Sequence, residues 1–160
     1  MVLKKNIETK VVSKLLKWYF INGRNLPWRP KNKKDLPNPY FTLISEFMLQ
    51  QTTVNSVVPK FNSFISVWPS LEKLSKSNES KILDFWSGLG YYNRAKNLFK
   101  TVKIIKKNYK SIIPNNYNDL IKLPGVGEYT AKAILSIAYN QSILPVDTNI
   151  KRFVLRLYGI

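Results

Sequence analysis

The chain of 160 residues has no cysteine and no histidine. Disulfides, thiolate metal sites, imidazole bases and cysteine nucleophiles are therefore excluded within it, and chemistry must come from carboxylates, lysine, tyrosine or the backbone. Acids are scarce, 9 Asp and Glu against 26 Lys and Arg, so any acid in apolar surroundings stands out. No apolar run approaches the roughly 18 residues of a membrane helix. The start, Met1 to Lys10, lacks the apolar stretch and small-residue cleavage site of a secretory signal. A soluble, intracellular protein is the expectation. Strand-like alternation is short and rare, and neither internal repeats nor low-complexity segments occur.

What is present suits a folded, basic, helical protein. The chain is 44% hydrophobic and 13% aromatic, enough to bury one sizeable core. A formal charge of +17 points to a polyanionic partner, nucleic acid first, with a merely solvated basic surface as the plain alternative. Apolar residues recur at helical spacing from Ile7 to Tyr19, and Asn22-Gly23 is a stop signal. Leu26 to Pro39 is rich in proline and charge and reads as a basic loop. Tyr40 to Thr53 and Val54 to Trp68 read as apolar helices, the second with Pro59 near its start or kinking it. Shorter helices are expected over Ser70 to Ser77 and over Glu79 to Trp86, the latter capped by Asn78 and ended by Gly88-Leu89-Gly90. A longer one, Asn93 to Lys107, has Leu98, Val102 and Ile105 on one face, with Arg94 and several lysines supplying charge elsewhere. Tyr117 to Leu123, a tight turn, Glu128 to Tyr139, and a last helix after Asp147 complete an all-α reading.

Three segments could carry chemistry. In Leu123-Pro124-Gly125-Val126-Gly127-Glu128-Tyr129-Thr130-Ala131 two glycines let the backbone turn sharply and leave amides facing outward at a helix N-terminus. Such amides suit a DNA phosphate, and an ordinary helical hairpin turn is the alternative. In Ile44-Ser45-Glu46-Phe47-Met48-Leu49-Gln50-Gln51-Thr52 an acid stands within an otherwise apolar helix. It is either a solvated surface Glu or a buried carboxyl whose raised pKa would let it act as a general acid. In Pro145-Val146-Asp147-Thr148-Asn149, Asp147 suits the N-cap of the final helix.

Together these segments resemble the helix-hairpin-helix DNA glycosylases, specifically the adenine DNA glycosylase branch, from about Trp18 to Tyr158. The resemblance implies that fold: a six-helix barrel over residues 31–140 with the hairpin at 117–140. Residues 1–30 would be a helix and linker of an iron-sulfur-type domain, and 141–160 the start of a second helical domain. It implies base-excision repair on double-stranded DNA, with hydrolysis of the glycosidic bond of adenine opposite 8-oxoguanine or guanine. Glu46 would be the acid, Asp147 the carboxylate supporting the sugar cation, and Tyr129 its assistant. Gln51 and Tyr91 would enter the base stack, Leu89 and Thr52 would approach the opposite base, and Gly125, Val126 and Gly127 would hold phosphate. Trp28, Arg29 and Leu49 would border the adenine pocket. Carbonyls of Ile121, Leu123 and Val126 would hold an alkali-metal cation. A bacterial cytoplasmic, nucleoid-associated monomer with no membrane contact is the matching expectation.

Two departures accompany the resemblance. The family carries a 4Fe-4S cluster on four cysteines beyond the last motif, and this chain has none. It is accordingly expected to be C-terminally incomplete, with the first helix's Val12, Leu16 and Tyr19 left partly exposed. Endonuclease III-like enzymes place a lyase lysine in the hairpin where Tyr129 stands here, and a phenol forms no imine. That lyase and a non-catalytic DNA-binding module are the alternatives.

Overall fold

The computed structural model describes residues 2–32 and 35–159, with side chains described from residue 8 onward. Met1, the centre of the basic loop (Lys33 and Lys34) and Ile160 lie outside the described residues, as does the side chain of Ile7. Among the described residues the structure is all-α, as expected. Its helices are α1 (Val2–Asn22), α2 (Pro39–Leu49), α3 (Val54–Val67), α4 (Leu71–Ser75), α5 (Glu79–Trp86), α6 (Asn93–Tyr109), α7 (Tyr117–Leu120), α8 (Glu128–Tyr139) and α9 (Thr148–Tyr158).

The helix α2 is the hub because it is apolar on nearly every side, the pattern of an element enclosed by others. It buries Tyr40, Leu43, Ile44, Phe47 and Met48 and packs against α3, α6 and α8. Small residues on α8, Ala131, Ala133 and Ala138, are fully enclosed. On α6 the expected face of Leu98, Val102 and Ile105 is completely buried. The rings of Phe64, Trp68 and Phe85, with centroids 4.8 to 5.6 Å apart, join the end of α3 to α5. Trp28 packs edge-on against Phe61 at 5.2 Å, so the first part of the basic loop is anchored in the core.

Helix starts follow local chemistry. Asn38, Thr53, Ser70, Asn78 and Asn116 each cap a helix with a side-chain oxygen. Pro59 lies inside α3 without ending it. Three ends fall short of expectation. The central helix stops at Leu49, not Thr53, because Gln51 turns into the left-handed region at φ 56°. The helix expected over Ser70 to Ser77 is a five-residue turn with Ser70 as cap. The one expected to reach Leu123 ends at Leu120, after which Leu123 N–H bonds Leu120 and the chain enters the hairpin. Arg94 departs furthest from expectation: the pattern puts it on the charged face of its helix, but it is buried.

Candidate functional site

Three titratable side chains converge where α2, α8 and the start of α9 meet. Glu46 is on α2, Tyr129 is in the first turn of α8, and Asp147 caps α9. Glu46 is mostly enclosed, and burial pushes its carboxyl up to about 7. The half-exposed Tyr129 phenol is raised by burial, then by the fields of Glu46 and Asp147, so it feels the charge of both carboxyls. The Asp147 carboxylate is fixed by its cap, accepting from Ile150 N–H at 2.8 Å through Oδ1 and from the Asn149 amide at 3.3 Å through Oδ2. Tyr129 thus feels one carboxyl that keeps a proton near neutrality and one that is held as a hydrogen-bond acceptor.

The hairpin is docked onto this centre. At Gly125, φ is +78° and a Cβ would stand 2.8 Å from Asn97 Cβ and 2.9 Å from a Phe47 ring carbon, so only glycine fits. Thr101 Oγ1 donates to the Pro124 carbonyl at 2.8 Å, and Gln50 Nε2 donates to the Gly125 carbonyl at 3.1 Å. Gly127 is exposed and open, and no side chain caps α8 behind it. The N-terminal amides of α8 are thus free of side-chain competition for an anion. Glu128, the acid nearest those amides, is held by Lys132 at 2.5 Å.

Gln51 and Tyr91 line one shallow cavity of about 340 Å³ with Gln50, Tyr92 and Arg94. Both adopt left-handed backbone, at φ 56° and 49°, which costs about 1–2 kcal/mol for a side-chain-bearing residue. Tyr91 is 63% exposed, whereas Leu89 is buried in the core. Thr52 is partly buried, its N–H bonded to Leu49. Arg29 lies at 5.5 Å over the Tyr19 ring and lines a separate cavity of about 590 Å³ with Arg24, Leu26, Asp35 and Ile137. Trp28 and Leu49 belong to the core packing instead, and Glu46, Tyr129 and Asp147 do not line that cavity.

Two residues important to this geometry were not singled out from the sequence. One is Gln50, which fastens the end of α2 to the hairpin. The other is Arg94, whose terminal nitrogens donate to five main-chain carbonyls. A signal for the second was present: Arg94 precedes Leu98 by one helical repeat and so shares its buried face.

The carbonyls of Ile121, Leu123 and Val126 are neutral oxygen donors of the kind an alkali-metal ion accepts, and that of Leu123 also takes Val126 N–H at 3.1 Å. An iron-sulfur cluster does not fit this chain, which offers no thiolate. Among the described residues, no helix is long and apolar enough to cross a membrane.

Residues 44–160 match the family described as HhH-GPD superfamily base excision DNA repair protein. The chain is 50% identical over 147 residues to an adenine DNA glycosylase of Buchnera aphidicola subsp. Schizaphis graminum, covering 91% of this chain and 41% of that protein. Against the adenine DNA glycosylase of Mycolicibacterium smegmatis it is 39% identical, covering 89% of this chain and 47% of that protein. The chain thus spans less than half the length of these curated relatives. A thermostable thymine-DNA glycosylase superposes with a TM-score of 0.83 at 28% identity, over 94% of this chain and 68% of that one. An endonuclease III in a non-covalent DNA complex has the same fold, with a TM-score of 0.75 at 22% identity, over 95% and 69% of the two chains.

Proposed function

Because this chain belongs to the HhH-GPD superfamily of base excision DNA repair proteins, we propose that it is the catalytic core of a monofunctional adenine DNA glycosylase. Its substrate would be adenine mispaired with 8-oxoguanine or guanine in duplex DNA. The observation that carries the proposal is Glu46, whose carboxyl holds its proton up to about pH 7 beside Tyr129 and the fixed carboxylate of Asp147.

The chemistry follows from those groups. A base within a duplex is out of reach and must swing out of the stack. Glu46 donates its proton to a ring nitrogen of the extruded adenine. The C1′–N bond then breaks, its electron pair leaving with the base. Asp147 supports the resulting oxocarbenium-like sugar electrostatically, and Tyr129 holds the polar surface between the two carboxyls. Water adds to C1′ and gives its proton to the Glu46 carboxylate, restoring the acid. The nearest hairpin amine, Lys132, is engaged by Glu128, which raises its pKa. A firmly protonated lysine is a poor imine former, which favours hydrolysis over a lyase step.

In this reading Gln51 and Tyr91 fill the gap left by the extruded base, and Thr52 and Leu89 lie toward the opposite base, Leu89 from within the core. By family resemblance Arg29, Trp28 and Leu49 would border the base pocket, although Arg29 faces a cavity that Glu46, Tyr129 and Asp147 do not line and Trp28 and Leu49 pack with the core. The amides at Gly125, Val126 and Gly127 take a phosphate, and the carbonyls of Ile121, Leu123 and Val126 would hold a cation that adds positive charge beside it. Residues 31–140 form the barrel, 1–30 precede it, and 141–160 open a second helical unit.

An oligonucleotide duplex with adenine opposite 8-oxoguanine tests the proposal. Alkali-labile strands that appear only after alkali treatment are expected. Cleavage without alkali would indicate a lyase, and no alkali-labile product would overturn the enzymatic reading.

A further inference from the structure

The peptide groups that immediately precede Gln51 and Tyr91, on two loops far apart in sequence, are held by one side chain. Nη1 of Arg94 donates to the carbonyl of Gln50, and also to those of Met48 at 2.8 Å and Phe47 at 3.4 Å. Nη2 donates to Gly90 at 3.1 Å and Leu89 at 2.9 Å. The guanidinium carbon lies 5.7 Å from the Trp86 ring and 5.4 Å from that of Tyr91. Arg94 is only 7% exposed, and all of its described hydrogen bonds go to carbonyls.

We infer that Arg94 is a positioning residue that locks the Gln51 and Tyr91 loops to each other, so that both side chains enter the duplex as one rigid unit. The inference rests on the inserting roles proposed above for those two residues. Arginine suits the task because its planar fork presents separate nitrogens to the two segments, each on its own side. Lysine has the charge but a single nitrogen, which cannot span both. The carbonyls of Phe47 and Met48 belong to the last turn of α2, where a cation also meets the negative end of the helix. The two left-handed residues are thus kept in place by a bond to the peptide ahead of each.

Native-state hydrogen exchange on the wild-type chain tests the lock without any substitution. The amide of Thr52, bonded to Leu49, and that of Leu89, bonded to Trp86, are expected to open with the same denaturant dependence. Different dependences overturn the lock. In Arg94→Lys, exchange in residues 50–52 and 88–92 should accelerate together by about tenfold or more, while Ala131 in the hairpin holds its rate. Unchanged exchange in either loop also overturns it. The second readout is 2-aminopurine placed beside the target adenine in an 8-oxoguanine duplex, whose fluorescence rises when bases unstack. Arg94→Lys and Gln51→Ala should each reduce that rise, and the double variant should reduce it no further; additive losses overturn concerted entry. A wild-type chain that binds the duplex with no rise would overturn the inserting roles, and concerted entry with them, whereas the exchange experiment decides the lock by itself.

Discussion

Glu46 owes its proton affinity to position. The same side chain on an exposed helix face would be ionised at neutral pH, and here burial among the apolar residues of α2 lifts it from 4.5 to about 7. Linkage fixes the sign of the consequence: a carboxyl with a raised folded pKa binds protons more tightly in the native state, so stability is full below about pH 4.5 and falls as pH rises through 7. Urea unfolding should therefore show wild type and Glu46→Gln diverging over that window, the glutamine form more stable by roughly 3 kcal/mol at pH 8. Excision by the wild type should weaken over the upper part of the same range as the acid loses its proton, and Glu46→Gln should bind the duplex while losing excision. Equal excision in that variant would remove Glu46 from the chemistry. The unusual setting of this acid was legible in sequence because so few acids occur and this one interrupts an apolar helix, whereas its role came from the resemblance alone. The burial of Arg94 was not read, because α6 is rich in lysine and one more cation looks like surface until its register with Leu98 is followed.

The helices were read best where their ends are local. Over α8 the expected bounds, Glu128 to Tyr139, are the observed ones, because Gly127 opens the helix and Asn140 closes it in the left-handed conformation at φ 52°. The end of α2 was not legible because nothing in the local sequence marks it: Gln51 takes the left-handed backbone without being glycine or asparagine, and the last carbonyls are met by Arg94 from across the fold. The hairpin separates the two uses of glycine. Gly125→Ala should cost more than 2 kcal/mol, since φ is +78° and the new methyl would meet Asn97 and Phe47 below 3.0 Å. Gly127→Ala meets nothing within 4 Å at a φ of −84° and should leave stability within about 0.5 kcal/mol. If the α8 amides hold a phosphate, the methyl at Gly127 should nonetheless weaken duplex binding. Thermal unfolding and duplex titration of the two variants separate these effects, and a Gly127→Ala protein with unchanged affinity would argue against the phosphate site.

Across the whole molecule, packing is uneven. The residues Phe47, Phe61, Phe64, Trp86 and Leu98 are completely enclosed, whereas α1 leaves Leu15, Leu16, Trp18, Phe20 and Ile21 exposed and α9 leaves Phe153, Leu155 and Tyr158 exposed. The expected exposure of Val12, Leu16 and Tyr19 is among these observations. Helical periodicity can tell which face of a helix is apolar, but not what covers it, so the sequence pattern of α1 looks like that of a core helix. The Tyr158 hydroxyl of α9 donates to Glu8 of α1 at 2.8 Å, which ties the two terminal helices to each other, and the Arg29 guanidinium over Tyr19 is a contact from α1 to the segment that follows it. Apolar surface left in water adds nothing to stability, so the free energy of folding should reside in α2 to α8. Phe64→Ala is accordingly expected to cost about 3–5 kcal/mol, while the pair Leu16→Ser and Ile21→Ser should cost less than about 0.5 kcal/mol. In native-state hydrogen exchange, α1 should open well before α2, as a unit of lower stability. A common opening free energy for both helices, or a large loss from the serine pair, would mean that α1 is an integral part of the cooperative core.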